Sequence, residues 1–138
     1  MSDLVAEVED LLEGRHRAGV HRLAADTGAG DVAGVLGAAG WQVLTVDVDD
    51  ATDKTSLLAG FAAAGHFPAW VGGNWDALQD ALRDLSWMPG AGYAVLLDGW
   101  DGYAVAHPGD ADVLREVLLG TAAWWEDAGT PFHVLLWP

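Results

Sequence analysis

Hydrophobic positions along the chain follow two periods, one typical of strands and one typical of helices. Short apolar runs predict strands at residues 19–24, 41–46, 93–97 and 132–137. Apolar residues spaced three and four apart predict helices at residues 3–13, 31–39, 53–64, 74–85, 99–106 and 110–127. Strands that alternate with helices favour a parallel sheet, so the expected fold class is α/β, with helices packed on the sheet.

Local signals place several of the predicted boundaries. Asp31 and Asp53 stand where helices begin and can accept a hydrogen bond from a free backbone amide, while Gly65 stands where a helix ends. The run Tyr93–Leu97 is apolar without interruption, which is typical of a strand covered on both faces or of one at the centre of a sheet. The core face of the helix at 110–127 is expected to carry Val113, Leu114, Val117, Leu118 and Trp124.

Length and composition favour a single cytoplasmic domain over residues 1–138. The sequence has no internal repeat and no linker long enough to divide it. No apolar run approaches the roughly 20 residues of a membrane span, and the start Met1–Leu4 lacks the basic and apolar regions of a signal peptide. The absence of cysteine rules out disulfides and fits a reducing compartment.

The chain is strongly acidic, with 21 Asp and Glu residues against 6 Lys and Arg residues and a formal net charge of −15. Nucleic-acid binding depends on neutralising phosphates with basic side chains, so this composition argues against a nucleic-acid partner. An acidic surface attracts basic proteins and speeds their association. Solubility alone is the competing explanation for the charge.

The segment Trp70–Asp80, with the sequence WVGGNWDALQD, combines a glycine-bearing loop with the start of a helix. Asn74 is a good N-cap, because its side-chain oxygen can accept a hydrogen bond from a free amide of the first turn. An apolar face follows at helical spacing and consists of Leu78, Ala81, Leu82 and Leu85.

Three aspartates spaced four residues apart, Asp76, Asp80 and Asp84, line another stripe of the same helix. Like charges at this spacing destabilise an isolated helix. The helix dipole explains Asp76 in the first turn, but its effect fades beyond that turn. Two interpretations therefore stand: a solvated acidic face, or carboxylates retained for a cationic partner.

This segment resembles the binding motif of the barstar family, the small intracellular inhibitors of secreted barnase-type ribonucleases. The family pattern is an aromatic pair, then Gly-x-Asn-x-Asp-Ala-Leu-x-Asp, then an apolar residue. The chain matches it in register at Gly72, Asn74, Asp76, Ala77, Leu78, Asp80 and Leu82. The resemblance implies a barstar-like core over residues 41–138. Residues 1–40 are then an N-terminal extension, as in longer actinobacterial-type members, expected to add an edge strand and a covering helix.

The resemblance implies a non-catalytic inhibitor that needs no cofactor or metal. Its partner would be a basic extracellular ribonuclease or a ribonuclease-type toxin, with no nucleic acid or membrane involved. Asp80 would make the central contact and Asp76 the next, and both would occupy the place where the enzyme binds a phosphate. The other expected contacts are Asn74, Gly72, Gly73, Trp70, Trp75 and Gln79, with Trp124, Glu126 and Asp84 as secondary candidates.

The chain departs from the family pattern at several contact positions. Trp70-Val71 replaces the aromatic pair, and Gly73 stands where relatives are commonly acidic. Gln79 stands where a tryptophan is frequent, and Trp124 falls where the family has an acidic contact. The target is therefore open between a guanyl-specific barnase-type ribonuclease, a toxin domain of that fold, and a toxin unrelated to ribonucleases, for which the chain would be an immunity protein.

No arrangement of residues in the sequence is typical of a catalytic centre. The histidines share no ligand spacing on a predicted element, and His133 is expected to be structural. The competing enzymatic hypothesis is a magnesium-dependent phosphotransferase that uses Asp47, Asp49 and Asp98 at the ends of two strands. A solvated turn is the simpler interpretation of these aspartates.

Overall fold

A parallel sheet forms the centre of the computed structural model, which describes residues 19–22 and 29–138. Its strands are β1 (Gly19–Arg22), β2 (Gln42–Asp47), β3 (Tyr93–Asp98) and β4 (Phe132–Leu136). Their spatial order is β1-β4-β3-β2, and each neighbouring pair is parallel. The predicted α/β class with a parallel sheet is confirmed.

Helices connect the strands of this sheet. They are α1 (Ala29–Ala38), α2 (Lys54–Ala64), α3 (Trp75–Asp84), α4 (Trp100–Ala106) and α5 (Pro108–Ala128), with a 3-10 turn at Val48–Asp50. The helix predicted at residues 3–13 lies outside the described residues, as do the last two residues of the strand predicted at 19–24. None of the helices described is long and apolar enough to cross a membrane.

A capping side chain sets the start of α2, and two other helix starts differ from the prediction. Asp53 accepts a hydrogen bond from the Ser56 backbone N at 2.8 Å, and Ser56 Oγ accepts one from the Asp53 backbone N at 3.1 Å, which completes a capping box. Gly65 ends α2 as expected. Asp31 is not a cap, because α1 begins before it; its carboxylate lies in the first turn and complements the helix dipole. Helix α5 begins at Pro108, earlier than predicted, since proline suits the first turn.

Hydrophobic side chains cover both faces of the sheet, and β3 and β4 lie between them. Tyr93, Val95 and Leu97 of β3 belong to a larger core shared with α2, α3 and α5. The alternate residues Ala94 and Leu96 belong to a smaller core on the opposite face, which is completed by Val32, Leu36, Trp41, Leu135 and Trp137. All of β3 from Tyr93 to Leu97 is buried, which confirms the predicted strand covered on both faces.

The N-terminal segment adds an edge strand and a covering helix, as expected. Strand β1 pairs with β4, and Val32 and Leu36 of α1 are fully buried in the smaller core. His133 of β4 is buried, its Nδ1 lies 3.1 Å from Nε2 of His21, and its ring stacks on Trp41 with centroids 5.7 Å apart. His133 is structural, as predicted, and it joins β1 to its neighbouring strand.

Tyr103 of α4 is buried, and its hydroxyl has no hydrogen-bond partner among the described residues. Burial, with the charge of Asp110 as a second cause, raises the pKa of Tyr103 to about 12. The unfolded chain loses this proton near pH 10, whereas the folded protein keeps it. The free energy of unfolding should therefore fall as the pH rises from about 10 towards 12, because the unfolded state then binds fewer protons.

Tyr103→Phe should remove this part of the alkaline loss of stability. Because the substitution also deletes an unsatisfied buried hydroxyl, the variant should be as stable as the wild type at neutral pH, or more stable. Urea unfolding of both proteins at neutral and alkaline pH measures the difference. An identical loss of stability in the two proteins would show that Tyr103 does not contribute to it.

Candidate functional site

The loop that follows α2 enters α3 through the cap that the sequence predicted. Asn74 has an extended backbone, with φ −141° and ψ 172°, and its Oδ1 accepts a hydrogen bond from the Ala77 backbone N at 2.7 Å. This bond satisfies one of the free amides in the first turn of the helix. Asn74 thus fixes the direction in which the loop joins α3.

The inner face of α3 is buried in the larger core. Leu78, Ala81 and Leu82 are buried to at least 98 %, and the next residue after the helix, Leu85, is fully buried. Each buried leucine side chain contributes roughly 1.5–3 kcal/mol relative to an exposed one. The position of the outer face is therefore set by packing and does not depend on a partner.

The outer face of α3 carries the acidic stripe that the spacing predicted. Asp76, Asp80 and Asp84 are all exposed. Within the part of the chain that the structure describes, an ion pair joins Arg22 to Asp101 at 2.9 Å, and none includes the stripe. The structure thus brings the three carboxylates together as unpaired negative charge on a rigid helix.

The glycines of the loop leave its backbone uncovered. Gly72 and Gly73 are exposed; a Cβ on Gly73 would meet nothing within 4 Å, and one on Gly72 would first meet the Ala77 Cβ at 3.6 Å. Neither residue has a positive φ. Conformational strain therefore does not require glycine here, and what the missing side chains provide is access to the backbone.

The tryptophans in and beside the loop differ in how much of their surface is exposed. Trp70 is 67 % exposed and meets Trp87 edge-on, with ring centroids 5.9 Å apart. Trp87 is held in turn by a hydrogen bond from its Nε1 to the backbone O of Gly65 at 2.9 Å. Trp75 is half-buried against the larger core, and Gln79 is also half-buried. Trp70 is thus the aromatic side chain of the loop that offers most surface to a partner.

A groove of about 370 Å³, which the sequence pattern did not predict, lies between α2 and the loop. Its apolar walls include Leu58, Ala59, Ala62, Phe67, Val71 and Leu78, and Gly72 and Gly73 also line it. The small residues Ala59 and Ala62, one turn apart on α2, are the signal that could have indicated it. The groove extends the uncovered region of the loop towards α2.

Trp125, and not Trp124, faces the core from α5, which corrects the predicted core face of this helix. Trp125 packs on Tyr93 with ring centroids 5.0 Å apart, and its Nε1 donates a hydrogen bond to the backbone O of Leu82 at 2.8 Å. Trp124 is 43 % exposed and meets Trp125 edge-on, and Glu126 is exposed as well. The bond from Trp125 ties α5 to the C-terminal turn of α3.

The acidic turn after β2 does not form a metal centre in the described residues. Asp47 and Asp98 each end a strand, as the sequence predicted, and the structure adds that these strands are neighbours with the two residues paired in register. The Asp47 Oδ1 accepts a hydrogen bond from the Asp49 backbone N at 3.2 Å and caps the 3-10 turn. Among residues 19–22 and 29–138, no three His, Cys, Asp or Glu side chains are grouped so that they could hold a metal ion. In this structure the carboxylate of Asp47 serves as a cap of the 3-10 turn.

Replacement of both Asp76 and Asp80 by alanine should leave the protein folded. Relief of like-charge repulsion between them is worth about 0.2–0.5 kcal/mol, and the lost dipole interaction of Asp76 costs about 0.3–1 kcal/mol. Thermal unfolding of the double variant should therefore resemble that of the wild type, whereas the matched core variant Leu82→Ala should lose about 2–5 kcal/mol. A loss comparable to that of Leu82→Ala would mean that the two carboxylates serve the fold.

The comparisons with known proteins agree with the motif. A family model described as Barstar (barnase inhibitor) matches residues 41–137, which is more than half of the chain. The matched range contains β2, β3, β4 and the whole of the loop and α3. Among curated proteins, none matches the chain.

Proposed function

Because the chain belongs to the barstar family, we propose that it inhibits a basic ribonuclease of the barnase type. Members of this family are inhibitors and not enzymes, and the proposed role is binding without catalysis. One observation carries the proposal: Asp76 and Asp80 are exposed and unpaired on a helix whose other face is locked in the core. The loop and α3 would cover the active site of the ribonuclease.

The proposed mechanism is occupation of a phosphate site by carboxylates. A ribonuclease must hold the phosphate of its substrate with cationic side chains, and these would pair with Asp80 at the centre and Asp76 beside it. Hydrogen bonds between two charged groups are shorter and roughly twice as strong as neutral ones. Because the cap at Asn74 and the buried face of α3 fix the backbone that carries both aspartates, only their short side chains would have to be ordered on binding.

The loop would supply the uncharged part of the interface. Trp70 offers a large aromatic surface, and aromatic side chains are frequent anchors in protein interfaces. The uncovered backbone at Gly72 and Gly73 would allow close approach of the enzyme. Gln79 of α3 and the exposed Trp124 of α5 would extend the contact, with Glu126 and Asp84 at its margin.

The target need not be barnase itself. Gly73 and Trp124 are uncharged at positions where the family is commonly acidic, and Gln79 replaces a frequent tryptophan. These differences favour a target whose surface departs from that of barnase, including a toxin domain against which the chain acts as an immunity protein. For an inhibitor that protects the producing cell before its nuclease is exported, the cytoplasm is the proposed location.

A panel of purified enzymes tests the proposal. It should contain barnase, other guanyl-specific ribonucleases, ribonuclease toxin domains and toxin domains with other activities. We expect stoichiometric inhibition of at least one ribonuclease. It should be lost in the double variant Asp76→Asn, Asp80→Asn and retained in Asp49→Asn, which removes a charge from the 3-10 turn outside the loop and α3. Protection only against a toxin that is not a ribonuclease would favour the immunity role, and no inhibition of any ribonuclease would contradict the proposed function.

A further inference from the structure

Arg83 is a cation within the acidic face of α3. It follows Asp80 by three residues and Asp76 by seven, about two helical turns, so it shares their side of the helix. No hydrogen bond or ion pair engages its guanidinium in the described residues, although Asp80 and Asp84 are close in sequence. A positive charge that lies beside carboxylates without pairing to them is available to a third group.

The packing of Arg83 against α5 sets the direction of its guanidinium. Arg83 is half-buried, and its Nε is buried without a partner. A Cβ on Gly120 would lie 2.9 Å from Nη2 of Arg83, so the missing side chain at Gly120 leaves the space that the guanidinium fills. Since the Nε end is enclosed, the terminal nitrogens are the donors that remain for a partner.

The exposed indole of Trp124 belongs to the same region. Gly120 and Trp124 are four residues apart on α5 and therefore lie on one face of that helix, one turn from each other. Nearby, Trp125 holds α5 to the backbone of Leu82, the residue before Arg83. An approaching side chain would thus meet the guanidinium beside an apolar surface, where exclusion of water strengthens a charged contact.

We infer that Arg83 binds an acidic side chain of the target, next to the cations that bind Asp76 and Asp80. This inference rests on the proposed function. A guanidinium that faced only cationic groups would be repelled and would weaken the complex. A carboxylate, in contrast, accepts two parallel hydrogen bonds from the terminal nitrogens of arginine. The target would accordingly carry an Asp or Glu at the edge of its cationic active site, and Arg83 would select for it.

Substitution of Arg83 tests whether it binds an acidic side chain of the target, because each alternative role predicts a different change in the inhibition constant. Arg83→Gln should raise the inhibition constant about tenfold or more, because a charged hydrogen-bonded contact is lost, and Arg83→Glu should raise it further. If Arg83 faced only cations, both substitutions would tighten inhibition. If it only complements the dipole at the end of α3, they would lower the melting temperature and leave inhibition unchanged. Arg115→Gln makes the same charge change at an exposed position on α5 and is the matched control.

The probes are barnase and every other ribonuclease of the panel that the wild-type protein inhibits. Each Asp and Glu on the active-site face of the probe is replaced by its amide, one at a time. One of these amide variants of the probe should raise the inhibition constant of the wild-type inhibitor as much as Arg83→Gln does. When this variant is combined with Arg83→Gln, the total rise should be smaller than the sum of the two free-energy changes. This target-side scan tests the inference even if Arg83→Gln is unstable.

The inference would be overturned if Arg83→Gln left the inhibition constant unchanged or lowered it. It would also be overturned if the effect of Arg83→Gln simply added to that of every amide variant of the probe. If Asp80→Ala abolished inhibition in the same assay, the proposed function would stand without it. If the wild-type chain inhibited no ribonuclease, both would fail.

Discussion

Asp80→Ala is expected to weaken inhibition of the target ribonuclease by about 2–5 kcal/mol. This is the usual cost of truncating one partner of a buried charge pair, in barnase with barstar among other complexes, because the opposing cation is left unpaired. Asp80 occupies the centre of the acidic face, six residues after the cap Asn74, and no ion pair with another described residue would replace the contact. Inhibition constants measured at one ionic strength give the difference directly.

Two matched aspartates serve as controls for this prediction. Asp84 lies on the same stripe, one turn beyond Asp80 and at the end of α3, and Asp84→Ala should cost much less because a contact at the margin stays hydrated. Asp49 lies in the 3-10 turn after β2, and Asp49→Ala should change inhibition very little. A silent Asp80→Ala together with a damaging Asp49→Ala would place the binding site elsewhere.

Local chemistry was enough to predict α3 and its outer face. The capping oxygen of Asn74, the leucines at helical spacing and the aspartates four residues apart each act within two turns of helix, so their positions follow from the sequence without knowledge of the fold. The same holds for Asp53 at the start of α2, where the structure adds the reciprocal bond of Ser56. The unbroken apolar run at 93–97 predicted a strand covered on both faces for the same reason.

Features that depend on contacts between elements could not be predicted in this way. Trp124 and Trp125 are only about 100° apart around α5, so periodicity alone does not decide which one is buried. The packing of Tyr93 and the carbonyl of Leu82 decide it in favour of Trp125. The groove beside α2 and the enclosed Nε of Arg83 likewise depend on the relative placement of two helices or of a helix and a loop.

Helix α3 has an inner face that packs in the core and an outer face that is exposed. This division explains how the chain can keep a row of like charges on the outer face. The repulsion among the aspartates of α3 is small compared with the energy of the leucines buried beneath them. The fold therefore tolerates the charge that a cationic partner would use. Substitutions on the outer face should consequently change binding, and substitutions on the inner face should change stability.

Association with a basic ribonuclease is expected to slow steeply as salt is added. The net charge of −15 and the unpaired face of α3 attract a cationic enzyme over long distances, and salt reduces the Debye length from about 30 Å at 0.01 M to about 3 Å at 1 M. Charge-steered pairs, for which barnase and barstar are a reference case, gain about 10–10³-fold in association rate. Stopped-flow measurements over this range of salt should therefore show a fall of that order, with a smaller change in the dissociation rate.

In the same experiment, the double variant Asp76→Asn, Asp80→Asn shows how much of the association rate depends on these two carboxylates and how much on the net charge of the whole protein. It keeps most of the net charge but removes the two carboxylates that face the partner, so its association rate should start lower and depend less on salt. The matched pair Asp49→Asn, Asp50→Asn removes equal charge from the 3-10 turn, outside the loop and α3, and should behave nearly as the wild type. Rates that do not respond to salt, or an equal response in both variants, would remove the steering argument and leave short-range contacts as the only source of affinity.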